Sequence, residues 1–205
     1  MKLNRRVFIK NGALAGLGLI ASNHLTHADT TSRQSSENGL KVGIIGLDTS
    51  HSTAFTQLLN SDTTAYGGYK VVAAYPEGSK EIESSVRRIP GYTEDVRKHG
   101  VEIVGSIQDL LKKTDVILLE TNDGRLHLEQ ALEVFKAGKR VFIDKPVAAS
   151  LTDAIAIYQA AEKYGVVVFS ASSLRYMSNM DDILNNHSAG KILGAATFSP
   201  CVLEA

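Results

Sequence analysis

Gly43-Ile44-Ile45-Gly46-Leu47-Asp48-Thr49-Ser50-His51-Ser52, entered from Leu40-Lys41-Val42, decides how the rest of the chain is read. The run 41–45 has strand composition and ends on a turn glycine, after which helix-capping residues gather. In a dinucleotide fingerprint, G-x-G-x-x-G, the first glycine makes the tight turn and the second lets backbone approach the pyrophosphate. The third lets helix and strand pack closely. Gly46 takes the first position, while Asp48 and His51 stand in the second and third. What survives is a strand, a turn and a helix N-terminus carrying Asp48, Thr49 and Ser50, where free N–H groups and the helix dipole favour an anion. An ionised Asp48 would repel a pyrophosphate, so glycine at that position is expected to bind it more tightly unless the carboxylate has a structural partner. The plainer alternative has Asp48 capping the helix and His51 filling a packing slot.

Outward from this stretch, short β-branched runs alternate with helix-length amphipathic segments, which reads as βαβ units and a parallel sheet. The pattern predicts strands at 41–45, 70–74, 102–104, 115–119, 140–143 and 166–169. It predicts helices near 50–59, 80–99 (interrupted at Ile89-Pro90-Gly91), 107–113, 125–137 and 151–164. The last two stop at Gly138 and Gly165, where glycine readily takes the left-handed conformation past a helix end. The fold class is therefore α/β, a doubly wound parallel sheet whose ligand site lies at the carboxyl ends of its strands.

Three further strand-end loops carry candidate chemistry. The second strand leads into Tyr75-Pro76-Glu77-Gly78, where a dinucleotide site usually places an acid for the ribose hydroxyls; Glu77 is the candidate, or else a solvated loop acid. The fourth leads into Glu120-Thr121-Asn122-Asp123-Gly124-Arg125-Leu126-His127, on the path of a nicotinamide or simply a turn into a helix. The fifth ends in Asp144-Lys145-Pro146. A lysine fixed at a sheet's carboxyl edge is placed to polarise a hydroxyl or carbonyl, unless it is only a surface residue. No metal ligand is assigned.

Composition bounds the function. One cysteine excludes a disulfide scaffold, and no apolar run reaches the roughly 20 residues of a membrane span, so no stable membrane anchor is expected. The 22 basic and 22 acidic side chains balance, but residues 1–28 hold Lys2, Arg5, Arg6 and Lys10 without an acid, leaving a body with a formal net of −4. A mildly acidic body argues against nucleic acid as a partner. Asn4-Arg5-Arg6-Val7-Phe8-Ile9-Lys10, the diluted apolar stretch 12–21 and Thr26-His27-Ala28 resemble a twin-arginine export signal with its cleavage site. A periplasmic or secreted location is expected from it. Residues 29–39 read as a linker.

Taken together, Gly43-Ile44-Ile45-Gly46, the series His127…Ala131…Ala137-Gly138-Lys139…Asp144-Lys145-Pro146, and Ser172-Ser173-Leu174-Arg175-Tyr176 resemble the glucose–fructose oxidoreductase / inositol dehydrogenase (Gfo/Idh/MocA) family. The resemblance covers nearly all of residues 40–205. It implies a Rossmann-like domain at 40–175 that binds NAD or NADP, with the start of a second α+β domain at 176–205 (a helix near 180–187 and at most a strand near 195–198). It makes Lys145 the active-site lysine, puts Asp144 in place of the family's usual glutamate, and sets Thr121 and Asn122 in the nicotinamide-side loop. Arg175 falls at the crossing between domains. The implied cofactor contacts are Gly46, Asp48, Thr49, Ser50, His51, Glu77, Thr121, Asn122, Asp144, Lys145, Pro146 and Arg175. The implied reaction is hydride transfer at a hydroxyl of a sugar, polyol or glycoside. The family's catalytic histidine and its assembly surface belong to the second domain, so these 205 residues are expected to be the cofactor part of a longer enzyme. The rival readings are a non-catalytic nucleotide- or sugar-binding module and an inactive truncated fragment.

Overall fold

The computed structural model describes residues 39–172 together with positions 190, 193, 194 and 196. The leader, nearly all of the linker, Arg175 and the elements expected at 180–187 and 195–198 lie outside the described residues. In chain order the elements are β1 (Lys41–Ile45), α1 (Ser50–Ser61), β2 (Lys70–Tyr75), α2 (Glu83–Lys98), β3 (Glu102–Ile103), α3 (Ile107–Lys113), β4 (Val116–Leu119), α4 (His127–Lys136), β5 (Arg140–Ile143), α5 (Leu151–Tyr164) and β6 (Val168–Phe169). The strands form one six-stranded sheet in the order β3-β2-β1-β4-β5-β6, with every neighbouring pair parallel.

Two apolar layers hold the helices on the sheet. Ile45, Ile117, Leu119, Val141 and Ile143 pack with Leu110 of α3, Val134 and Phe135 of α4, and Ile157 of α5. On the other face Val42, Ile44, Val71 and Ala74 pack with Leu59 of α1 and Val96 of α2. The alternation of side chains along each strand makes this division, since residues two apart share a face. Strand order reverses between β1 and β4, the switch point at which open α/β sheets form their ligand crevice.

Beyond shifts of one or two residues at other element ends, two features of α2 differ from the sequence reading. The predicted break at Ile89-Pro90-Gly91 does not occur: α2 runs unbroken through Pro90. Pro90 and Val86 both stand on the exposed side, so the carbonyl that loses its donor is open to water, and the Thr93 hydroxyl donates to the Ile89 carbonyl at 2.7 Å. The same helix starts at Glu83 rather than Lys80. The Ser79 hydroxyl accepts from the amides of Glu81 and Ile82, holding that segment as a turn.

Candidate functional site

The strand register continues one residue past the strand ends and sets the site. Gly46 N–H donates to the Tyr75 carbonyl at 2.9 Å, Glu120 N–H to Ile45 at 2.8 Å, and Asp144 N–H to Leu119 at 2.9 Å. Gly46, Glu120 and Asp144 therefore stand side by side at the carboxyl edge of β1, β4 and β5. Gly46 has φ +87°, and a Cβ there would lie 2.5 Å from Thr121 Oγ1 and 2.6 Å from its Cα and N. Only glycine lets the β1 loop approach the β4 loop this closely.

Asp48 does not cap α1. Thr49 does, its hydroxyl accepting from His51 N–H at 3.2 Å, and the first turn contains no acid. Asp48 is fully buried and turned inward, accepting from Asn122 N–H at 2.9 Å and Ser79 N–H at 3.2 Å. One carboxylate thus ties the β1, β2 and β4 loops together, which is the structural partner the sequence left open. Burial pushes the Asp48 carboxyl upward, and hydrogen bonds from Asn122, Ser79 and Ser85 reverse this only in part. Gly78 exists to make room: a Cβ there would meet Asp48 Oδ2 at 2.1 Å. Asn122 also donates from its side chain to Ser85 Oγ at 3.1 Å.

His51, at the third fingerprint position, is more than packing. Its Nδ1 lies 2.6 Å from Asp144 Oδ2, and its ring meets Phe55 edge-on at 6.4 Å, one turn along α1. Phe55 in turn contacts Phe142 of β5 at 5.9 Å. Asp144 follows Phe142 by two residues, so both project on the α1 side of the sheet.

On the β2 side, a cleft of about 520 Å³ opens between the segment after β2 and the β4 loop. Glu77 lines it and pairs with Lys80 at 3.3 Å; both side chains are largely solvated. Across it Arg125 binds Asp123 through Nε (2.9 Å) and Nη2 (2.7 Å) and reaches Glu81 at 2.8 Å. The guanidinium holds the Asp123 carboxyl down at about 2. Ser79 Oγ donates to Asp123 at 3.0 Å.

Lys145 and Pro146 are exposed at the β5 edge. His127 is fully buried, with Nε2 2.7 Å from the Thr121 carbonyl and Nδ1 3.0 Å from the Val147 carbonyl. The motif histidine thereby braces the Thr121 loop against the segment that carries Lys145. Thr121 is buried with no hydrogen-bond partner on Oγ1.

Sequence reasoning passed over Glu120. It is fully buried, and neither carboxylate oxygen has a hydrogen-bond partner. Burial pushes its carboxyl well above the usual range and Asp144 adds to that, while Lys145 pulls the other way. The available signal was its place at a strand tip, one residue past Leu119 in a run that alternates between the two faces.

The residues present fit a dinucleotide. Gly46 permits close backbone approach at the switch point, the α1 N-terminus carries no competing acid, and a cleft lies on the β2 side. A parallel sheet of this order with its polar groups gathered at the β1/β4 crevice defines a dinucleotide-binding α/β domain. The family described as "Oxidoreductase family, NAD-binding Rossmann fold" (Gfo/Idh/MocA) matches residues 40–172, and the chain belongs to it.

Among its relatives, the 1,5-anhydro-D-fructose reductase of Ensifer adhaerens is 32% identical over 99 residues, covering 46% of this chain and 30% of that protein. The glucose-6-phosphate 3-dehydrogenase of Bacillus subtilis (strain 168) is 24% identical over 159 residues, covering 75% of this chain and 40% of that protein. The chain thus spans well under half the length of either. A crystal structure of a dehydrogenase from Clostridium difficile shares the fold with a TM-score of 0.56 at 23% identity, over 73% of this chain and 44% of that one.

Proposed function

We propose that the β1/β4 crevice holds the pyrophosphate of NAD and that this chain is the cofactor-binding part of an oxidoreductase acting on a hydroxyl of a sugar, polyol or glycoside. The close approach of Gly46 to Thr121 carries the reading, because the chain there requires a bare backbone beside an anion-favouring helix start. The sugar substrates named for the two curated relatives support the substrate class. Preference for NAD over NADP follows from the cleft: Glu77, Glu81 and Glu129 line it, and its basic side chains, Lys80 and Arg125, are already paired with acids. A 2′-phosphate would meet that charge unfavourably.

In this reading Thr49 and Ser50 present the α1 N-terminus to the pyrophosphate, and Thr121 offers its hydroxyl at the nicotinamide side. When bound, the nicotinamide accepts or donates the hydride. Lys145 donates a hydrogen bond to the substrate oxygen and stabilises the negative charge that develops there as its proton passes to a base that the family resemblance places in the second domain. His127 holds Lys145 and Thr121 in mutual register through the carbonyls it bridges. Calorimetric titration of the purified chain with NAD and NADP tests the assignment. Heat from NAD, with weaker heat from NADP, is the expected result; no heat from either, with the fold confirmed by far-UV circular dichroism, would favour a binding module for another ligand. These 205 residues alone should turn over no sugar; in a longer enzyme that carries the second domain, Lys145→Met should remove turnover while the fold persists.

We also propose that Arg5 and Arg6 direct the protein across the inner membrane by the twin-arginine route, on the strength of the acid-free leader. Among the described residues no helix is long and apolar enough to cross a membrane. Replacing both arginines by lysine should retain the protein in the cytoplasm; normal periplasmic amounts would overturn the assignment.

A further inference from the structure

We propose that His51, Glu120 and Asp144 form a binding site for one divalent transition-metal ion of the Zn²⁺, Mn²⁺ or Fe²⁺ kind, a property beyond dinucleotide binding at the same crevice. The register of β4 and β5 places Glu120 and Asp144 at adjacent strand tips, and the first turn of α1 brings His51 over them. The imidazole nitrogen and one oxygen from each carboxylate all lie within 4.8 Å of one another. Three side chains from three separate elements converge on one point.

Glu120 is the observation that asks for a ligand. Its side chain is fully buried and aimed into the cluster, yet both oxygens lack a hydrogen-bond partner. A buried polar group left in that condition costs on the order of 1–3 kcal/mol, more when charged. A proton on Glu120 would remove the charge but leave a hydroxyl and a carbonyl still unmatched. Lys145, the cation whose charge acts on it, is exposed and makes no hydrogen bond to it. A metal ion answers charge and coordination together.

The donor set selects the metal. One imidazole and two carboxylates suit borderline ions; calcium and magnesium take oxygen donors alone. Three protein ligands leave a coordination position open for water or a substrate oxygen. With metal–ligand bonds near 2.1 Å, tetrahedral ligands sit about 3.4 Å apart. The His51–Asp144 spacing of 2.6 Å is that of a shared proton. Replacing that proton by a metal opens this pair slightly and draws Glu120 inward, movements that side-chain rotation supplies. Phe55 packs edge-on against the histidine ring and is itself backed by Phe142, while the open side of the ring, about 35% exposed, leaves room for an ion to enter.

The test uses the full chain, stripped with a chelator and titrated with Zn²⁺ and, separately, Mn²⁺ in the absence of any dinucleotide, so that failure here is distinct from failure to bind NAD. Wild type should bind one ion per chain with proton release and a raised Tm. Glu120→Gln, isosteric and neutral, and His51→Phe should each weaken that binding at least about 100-fold, beyond the loss that changes outside the ligands produce. Both variants should keep the wild-type circular dichroism spectrum, and His99→Ala should bind as wild type. No binding at micromolar metal, or one-to-one binding that survives both Glu120→Gln and His51→Phe, would overturn the site.

Discussion

Replacing Asp48 by alanine should lower stability by about 2–3 kcal/mol at neutral pH. The variant strands two amide donors, Ser79 N–H, which is buried, and Asn122 N–H, which is half-buried. A stranded buried donor costs on the order of 1–3 kcal/mol, and water can reach Asn122 more readily than Ser79, so the pair sums to roughly 2–5 kcal/mol. Against this stands the unfavourable burial of the carboxylate itself, which the substitution relieves and which brings the net down. Asp48→Asn keeps one acceptor but turns an NH₂ toward the other donor, so it should fall between wild type and alanine. The chain has no tryptophan, which makes urea unfolding followed by far-UV circular dichroism the suitable assay. With an m-value of about 1–3 kcal/mol/M, the alanine midpoint should drop by about 1 M at unchanged m. Asp48→Gly, which sequence reasoning alone expects to bind dinucleotide more tightly, should bind it more weakly, because the three loops it joins come apart. An alanine midpoint within about 0.2 M of wild type, or tighter NAD binding by the glycine variant, would refute the inward role of this carboxylate.

Gly46→Ala should lose about 2–4 kcal/mol, combining positive-φ strain with a Cβ driven into Thr121; thermal unfolding near the wild-type Tm would sink that reading. His127→Phe keeps a ring but removes the N–H that one of the two facing carbonyls, of Thr121 or Val147, accepts, so it should cost about 1–3 kcal/mol and weaken NAD binding. Unchanged denaturation and calorimetry together would show that the bridge is idle. Asp123 predicts a pH effect of definite sign. Its folded pKa of about 2 lies below the ordinary 3.8, so the ionised carboxylate stabilises the fold above that ordinary value and the contribution disappears as pH falls through 2. Asp123→Asn should therefore be less stable than wild type at pH 7, by no more than about 1 kcal/mol because Arg125 is half-solvated, and the two should converge near pH 2 in Tm measurements.

The periodicities that made the fold legible were strong ones. β1, α3, β5 and α5 have the predicted limits, because their apolar patterns end against glycines, capping serines or loop polars. The continuous α2 was hidden because proline on a solvent-facing side removes a hydrogen bond that water replaces, and no residue string announces which side that is. Within the site, the turn at Gly46 and a helix start rich in capping residues follow from local chemistry, whereas the cap itself falls on Thr49 and not on Asp48. The roles of Asp48 and Asp144 did not follow, since their partners lie 31 to 93 residues away, and neither did that of Glu120, whose neighbours His51 and Asp144 come from other elements. A carboxylate in sequence carries no mark of whether it faces solvent, a backbone amide or a histidine. Register decides, and register becomes known only when the strands are laid side by side.

The β1/β4 pairing at the centre of the sheet joins segments some 74 residues apart, with β2 and β3 inserted between them in the chain. During synthesis β1 therefore meets β2 well before its other neighbour exists, and one edge of β1 waits open. The crevice comes into being only at the moment that the late strand closes that edge, which ties assembly of the chemistry to the most non-local strand pairing of the sheet. Pulse-labelled hydrogen exchange would see this as a delay: the Gly46 amide, bonded to β2, gains protection early, and those of Glu120 and Asp144 gain it late and together. An ion or nucleotide that grips these strand tips would then act as a clasp across the β1/β4 seam of the finished sheet.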